Sequence, residues 1–262
     1  MSSSSGRQFF SAAPGRGKAK VEESEEAIKA HEAWYKEHNW HFDSKSNFDF
    51  VSKQTSKSTG ELFDYDANKD HYDYIQEQIK TFIQNRLVEY YGFVKIPIPP
   101  NERSDHRTCA QVFASPDVLV NSNLVVIVQG RNNVYPGVWA CKLFTNGRAD
   151  NFKHATQFPY IRKALSRGWA VVVCDPNGDG ESHRSRNAHV GRVWELLINR
   201  AIASCIMYIG FSAGTQAILS MLQLPDGDME KEDFQRRVKA VVLMDGDTGE
   251  KIYGEKERQW LT

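Results

Sequence analysis

The run Cys205-Ile206-Met207-Tyr208-Ile209-Gly210-Phe211-Ser212-Ala213-Gly214 holds the residue pattern with the most chemistry in it. It is a G-x-S-x-G motif entered by an apolar strand-like stretch and left by a helical one. A serine so placed sits on a sharp turn at the carboxyl edge of a sheet with its hydroxyl exposed. Gly210 and Gly214 let the strand and helix backbones come close without a Cβ clash. A serine hydroxyl attacks an ester or acyl group only when a base takes its proton and a third group orients that base. Asp245, just after the apolar run 238–244, is the candidate orienting acid. The base is missing from its usual place. His31, His38, His41, His71, His106, His154, His183 and His189 all precede Ser212, whereas serine hydrolases of this layout order their partners serine, acid, histidine. Of these, His154, His183 and His189 are the ones that could approach from other loops. The plainer reading of Ser212 is a hydroxyl that caps the following helix at a tight turn.

A second candidate element is Gln129-Gly130-Arg131-Asn132-Asn133, following the apolar run 124–128. The backbone amides of Gly130 and Arg131, with that of Ala213 beside the serine, are the candidate oxyanion donors. Read otherwise, Gly130 merely makes a turn. Asp175-Pro176-Asn177-Gly178-Asp179-Gly180 matches the first half of a calcium loop, with glycine at the sixth place. Arg186 stands at the twelfth place, where a bidentate glutamate belongs, and a strand precedes the loop, so a polar strand-end loop is the better reading. Cys109, Cys141, Cys174 and Cys205 are far apart and form no C-x-x-C pair, which suits reduced thiols rather than ligands. Neither a metal nor a cofactor is expected.

The 262 residues are 40% hydrophobic and 25% charged with a formal net charge of +0, the composition of a globular protein with a sizeable core. That balance gives no global electrostatic case for direct nucleic-acid binding or for an anionic membrane. No apolar run approaches the roughly 20 residues of a membrane span. Arg184, Arg186, Arg192 and Arg200 are expected to be solvated. At the N-terminus, Ser2 to Ser5 with Arg7, Arg16, Lys18 and Lys20, and no acid before Glu22, suggest a disordered weakly basic tail. A mitochondrial transit peptide is the alternative, against which Pro14, Gly15 and Gly17 interrupt any amphipathic helix.

The expected organisation is a tail over 1–25 and one domain over 26–262, comprising an extension (26–92) and a sheet core (93–262). In the extension, a helix over 26–38 leads to the aromatics Trp34, Tyr35, Trp40 and Phe42. A hairpin over 47–65 follows, with arms FDFV and ELFDY. Asp70 then caps a helix carrying Tyr72, Ile75, Ile79, Phe82, Ile83, Leu87 and Tyr90 on one stripe, with Gly92 beyond its end. Strands are expected over 93–98, 109–113, 124–128, 170–174, 205–209 and 238–244, and helices over 160–165, 190–203 and 213–222. Pro159 and Gly168 frame the first of those helices. Near-continuous apolar strands alternating with helices imply an α/β fold whose mostly parallel sheet is covered on both faces.

Certain segments carry a family resemblance in their order: FDFVSKQTSKSTGELFDYD, DHYDYIQEQIKTFIQNRLVEYYGFVKIPIP, LVVIVQG, FPYIRKALSRGWAVVVCDPN, HVGRVWELLINRA, YIGFSAG and VKAVVLMD. From residue 47 to 262 the chain resembles the Argonaute-binding-protein-two (Arb-two) domain family. That resemblance implies an α/β-hydrolase-like fold. It also implies work in small-RNA silencing and chromatin, as subunits that chaperone Argonaute, nuclear cotranscriptional regulators, or domains appended to histone deacetylases. Where relatives often carry His-Ser and His-Gly, this chain has Phe211-Ser212 and Gln129-Gly130. The last strands and the histidine loop of complete members have no counterpart after Asp245, so the sheet is expected to end on an edge that a partner could cover. The expectation is a catalytically silent, protein-binding module of nucleus or cytoplasm, with Argonaute or chromatin-silencing factors as partners. The alternative is a serine hydrolase built on Ser212 and Asp245 with a non-standard or missing base.

Overall fold

A computed structural model describes residues 25–37, 40–42, 50–52, 68–99, 110–131, 134–145, 151–178, 183–225 and 227–246. Helix α1 (Glu25–Glu37) is followed by a small antiparallel pair, β1 (Trp40–Phe42) with β2 (Phe50–Ser52). Helix α2 (Tyr72–Asn85) then runs through a π turn (Arg86–Tyr90) towards strand β3 (Val94–Ile98). The remaining elements are β4 (Ala110–Ala114), β5 (Asn123–Val128), α3 (Asn151–Ala155), α4 (Phe158–Leu165), β6 (Ala170–Val173), α5 (His183–Leu196), β7 (Cys205–Phe211), α6 (Ala213–Leu219), α7 (Met229–Arg237) and β8 (Val238–Met244).

Among the described residues β3 to β8 form one six-stranded sheet in the order β3-β4-β6-β5-β7-β8. β4 runs antiparallel to both its neighbours, while β6, β5, β7 and β8 are mutually parallel, so the sheet is mixed but mostly parallel. Alternate residues of β5 serve opposite faces. Leu124, Val126 and Val128 join Val190, Trp194, Ile218 and Phe234 on the side of α5, α6 and α7. Val125 and Ile127 join Ile75, Ile79, Ile83, Phe158 and Ile161 on the side of α2 and α4. A sheet buried on both faces has no polar side to present, which is why these strands read as continuous apolar runs.

Ile75, Ile79, Ile83 and Leu87 are wholly buried along α2, as their spacing requires. Two details differ from expectation there. Asp70 lies inside a 3-10 turn (Lys69–His71) and His71 takes the N-cap place without a capping side-chain bond. The π turn inserts extra backbone before Gly92 (φ 70°), and Tyr90 ends 65% exposed rather than on the buried stripe. Phe50–Ser52, which includes the described end of the FDFV arm, pairs with the upstream residues 40–42, and the expected second arm lies outside the described residues. The helix expected over 190–203 instead begins at His183 and closes at Leu196, with a separate 3-10 turn at Ile198–Arg200. That expected over 213–222 is α-helical to Leu219 and 3-10 from Ser220 to Gln223. Among the described residues no helix is long and apolar enough to cross a membrane.

Candidate active site

The end of β7 turns into α6 through Ser212, whose φ of 52° and ψ of −122° lie where a side chain is seldom tolerated. Three contacts hold it there. Its amide donates to the Met244 carbonyl of β8 at 2.9 Å. Its carbonyl accepts from the Thr215 amide at 3.0 Å and from Thr215 Oγ1 at 2.6 Å. The hydroxyl makes no capping bond to α6, so the helix-cap reading of Ser212 is not the one the structure takes.

The two motif glycines are set by contact. A Cβ on Gly214 would stand 2.4 Å from the Val128 carbonyl oxygen and 2.6 Å from that of Gln129. One on Gly210 would meet Ile218 Cδ1 at 2.7 Å and Thr215 Cα at 3.0 Å. α6 therefore lies against the end of β5, which brings Gly130 to the serine, its ideal Cβ position 3.1 Å from Ser212 Cβ. Ala213 opens α6 and carries one of the amides for which helical geometry supplies no intrahelical acceptor. Arg131 is exposed. Gly130 thus lies against the serine and Ala213 follows it at the head of α6, while no contact places Arg131 at the serine.

Asn177, from the loop after β6, was not singled out as a site residue from sequence. Its Nδ2 donates to the carbonyls of Gly130 and Val134 at 2.9 Å each, pinning the first loop to the second. Gln129 beside it is fully buried, and neither end of its amide has a hydrogen-bond partner among the described residues. Phe211 packs by Trp139 (5.8 Å between centroids), Trp139 meets Tyr160 edge-on at 5.6 Å, and the Tyr160 hydroxyl donates to Met244 Sδ at 3.5 Å. These aromatics wall one side of the elbow.

Asp245 directly follows β8 with φ of 49° and is exposed. Gly246 after it folds onto Thr215, whose Oγ1 would lie 2.2 Å from a Cβ there. Among the described residues no hydrogen bond joins Asp245 to Ser212. Among the described side chains no histidine is hydrogen-bonded to Ser212. His189 is fully buried and its Nε2 accepts the Asp175 amide at 3.1 Å, so it holds the end of β6. His154 is exposed on α3, and the His183 side chain lies outside the described residues. Asp175 Oδ2 turns back to the Gln111 amide at 3.4 Å. Among the described residues no three His, Cys, Asp or Glu side chains gather as metal ligands would. Burial pushes the Cys174 thiol well up, and Asp175 adds to it, which makes this sulfur inert.

Numbered from β3, the strand order is 1-2-4-3-5-6 with the second strand reversed, and the serine stands after the fifth. This is an α/β-hydrolase-like fold, with Ser212 at the turn from its fifth strand into a helix. Residues 53–178, just under half of the chain, match the Arb2 domain. The match ends before Ser212, so the elbow stands on its own geometry. A FAM172 family protein homolog of Caenorhabditis elegans is 27% identical over 190 residues, 70% of this chain and 55% of that one. The human cotranscriptional regulator ARB2A is 29% identical over 127 residues, 45% of this chain and 30% of that one. The chain thus spans about half, or less, of the curated relatives it matches. The solved structure of the histone deacetylase Clr3 overlaps with a TM-score of 0.44 at 16% identity, over 71% of this chain and 29% of that one.

Proposed function

We propose that the chain is a non-catalytic α/β-hydrolase-like module that acts by binding protein in nuclear, cotranscriptional regulation. The observation that carries this reading is a strained strand-to-helix turn at Ser212 with no imidazole hydrogen-bonded to it among the described residues. His189 is committed to Asp175, His154 lies out on α3, and among the described residues no histidine is hydrogen-bonded to Asp245. Loss of the base in a serine triad removes several orders of magnitude in rate. The relatives named as cotranscriptional regulators support the nuclear assignment, and Argonaute or chromatin-silencing factors are the finer candidates for partner. Direct nucleic-acid binding is not part of this reading, since the net charge is +0. The test is labelling of the purified full chain with a fluorophosphonate. No labelling of a folded protein, together with nuclear retention and co-purifying protein partners, is expected. Labelling that vanishes in Ser212→Ala overturns it.

That result would favour the second reading, a serine hydrolase acting on an ester or acyl group. Its specific support is the strained φ of Ser212 with Gly130 pressed against it, an arrangement a mere turn does not need.

A further inference from the structure

β5, β6, β7 and β8 run parallel, so their amino ends share the pole of the sheet opposite Ser212. The connections at that pole, 115–122 into β5, 166–169 into β6 and 197–204 into β7, are described throughout, as is the step from α7 into β8. Where the described chain breaks off after β3, β5, β6 and β8, it does so at the other pole. Two of the amino-pole loops are joined through their backbones. The Ile202 amide donates to the Leu119 carbonyl at 3.1 Å, and the Ser204 amide to that of Ser122 at 3.1 Å. Leu119, Val120 and Ile202 thereby meet at the surface, 45%, 71% and 65% exposed. Single exposed apolar residues are ordinary, but three on adjoining loops make a patch.

Ile202 also walls a cleft of about 250 Å³, together with Asn199, Ser204, Asp233 and Arg236. Charge around it is unbalanced. Asp233 is shared by Arg236 and Arg237, and Asp117 accepts from Asn121 Nδ2 at 2.7 Å. Glu230 and Glu232 lie a turn or more away towards the start of α7. Arg167, Arg200 and Lys239 are exposed and have no carboxylate partner among the described residues. Each borders the patch or the cleft. Arg200 adjoins Asn199, Arg167 adjoins the Gly168 carbonyl that accepts from Asn121, and Lys239 Nζ donates to the Arg236 carbonyl at 2.7 Å. We propose that this surface takes a peptide segment of a partner protein in which an acidic residue stands next to apolar ones. The carboxylate enters the cleft and meets the Arg236 guanidinium, while the apolar side chains cover Leu119, Val120 and Ile202. The concave cleft favours a peptide over an anionic bilayer, whose flat surface leaves it unfilled. This inference rests on the protein-binding reading above and gives it a place and a partner chemistry.

A random peptide library is selected on the immobilised full chain, and enriched peptides are titrated by fluorescence anisotropy, with folding of each variant checked by circular dichroism. Peptides that pair Asp or Glu with Leu, Ile, Phe or Met are expected. Ile202→Asp and Arg236→Glu should each weaken them about tenfold, and Ser212→Ala at the other pole should not. A lysine in place of the peptide's acidic residue should recover binding to Arg236→Glu. Benzoylphenylalanine in place of Ile202 should cross-link to the peptide; a cross-link to the chain itself overturns the proposal. So do enriched peptides without acids, peptides that bind both variants undiminished, or a selection that enriches none. Cosedimentation with phosphatidylserine vesicles that Ile202→Asp abolishes would likewise replace a peptide with a membrane. Fluorophosphonate labelling of Ser212 would remove the non-catalytic reading and leave peptide binding at this pole standing. Unlabelled Ser212 with no peptide bound removes this inference alone.

Discussion

Ser212 holds a backbone conformation that costs about 1–3 kcal/mol in a residue with a side chain, and the Met244 and Thr215 bonds are what keep it there. Replacing it with glycine should therefore stabilise the protein by about 1 kcal/mol, while Ser212→Ala, which keeps the Cβ, should leave stability within ~0.5 kcal/mol. Urea unfolding of the three proteins checks both. Gly214 makes the opposite case. Its Cβ would press into two carbonyl oxygens of the β5 end, so Gly214→Ala should cost about 2–4 kcal/mol or displace α6. Gly191 in α5 has open space around it, and Gly191→Ala should be neutral or gain up to about 1 kcal/mol in the same assay. The motif glycines were legible because everything they touch is set by one local turn. Asn177 was not, since its partners Gly130 and Val134 lie more than forty residues away and meet it only once β6 sits beside β5. The calcium-like spacing around it hid the actual task, which is tying two loops together beneath the serine.

At the scale of elements, α7 shows what a periodicity reading passes over. Met-Glu-Lys-Glu-Asp-Phe-Gln-Arg-Arg offers only Met229 and Phe234 as apolar residues, and Met229 is 82% exposed. Phe234 and Arg237 dock the helix instead. Phe234 packs on Trp194 and Tyr208, and Arg237 is buried with its guanidinium donating to the carbonyls of Ile198, Ala201 and Ala203 and paired with Asp233. The loop before β7 is thereby fixed to the helix before β8. Arg237→Met keeps the apolar stem but strands three carbonyls, and should cost about 2–4 kcal/mol in urea unfolding. Asp228 caps α7 through the amides of Glu230 and Lys231, and Asp228→Ala should cost about 1 kcal/mol in the same measurement. The start of α5 was missed for a related reason, because His-Arg-Ser-Arg-Asn-Ala-His has no apolar stripe to announce it. The early strand pair is three residues a side, too short for pattern alone to choose its partner.

For the whole molecule, alternation of apolar runs with helices was enough to give the layers, but not the order in which strands lie. Each strand is buried on both faces and so carries no mark of its neighbour, and the reversal of β4 follows from connections that composition does not encode. The same two-sided burial sets how the protein responds to alkali. Burial, with Glu77 nearby, pushes the Cys141 thiol up to about 12 from its ordinary 9.0. Burial likewise raises Cys174, and it raises Tyr135 and Tyr208 from 10.0, with Glu77 adding to Tyr135 and Cys174 to Tyr208. All four are neutral in the folded state. Below pH 9 they are neutral in the unfolded chain too and leave stability unchanged with pH. Above 9 the unfolded chain releases protons that the folded one retains, so the folded state binds more protons and the unfolding free energy must fall as pH rises. The urea midpoint is therefore expected to hold steady from pH 7.5 to 8.5 and to drop through 9.5 and 10.5. Cys141→Ala should flatten the drop between 9 and about 12, because the group that titrates in that window is gone. An undiminished slope in that variant would place the alkaline sensitivity on the two tyrosines and Cys174 instead.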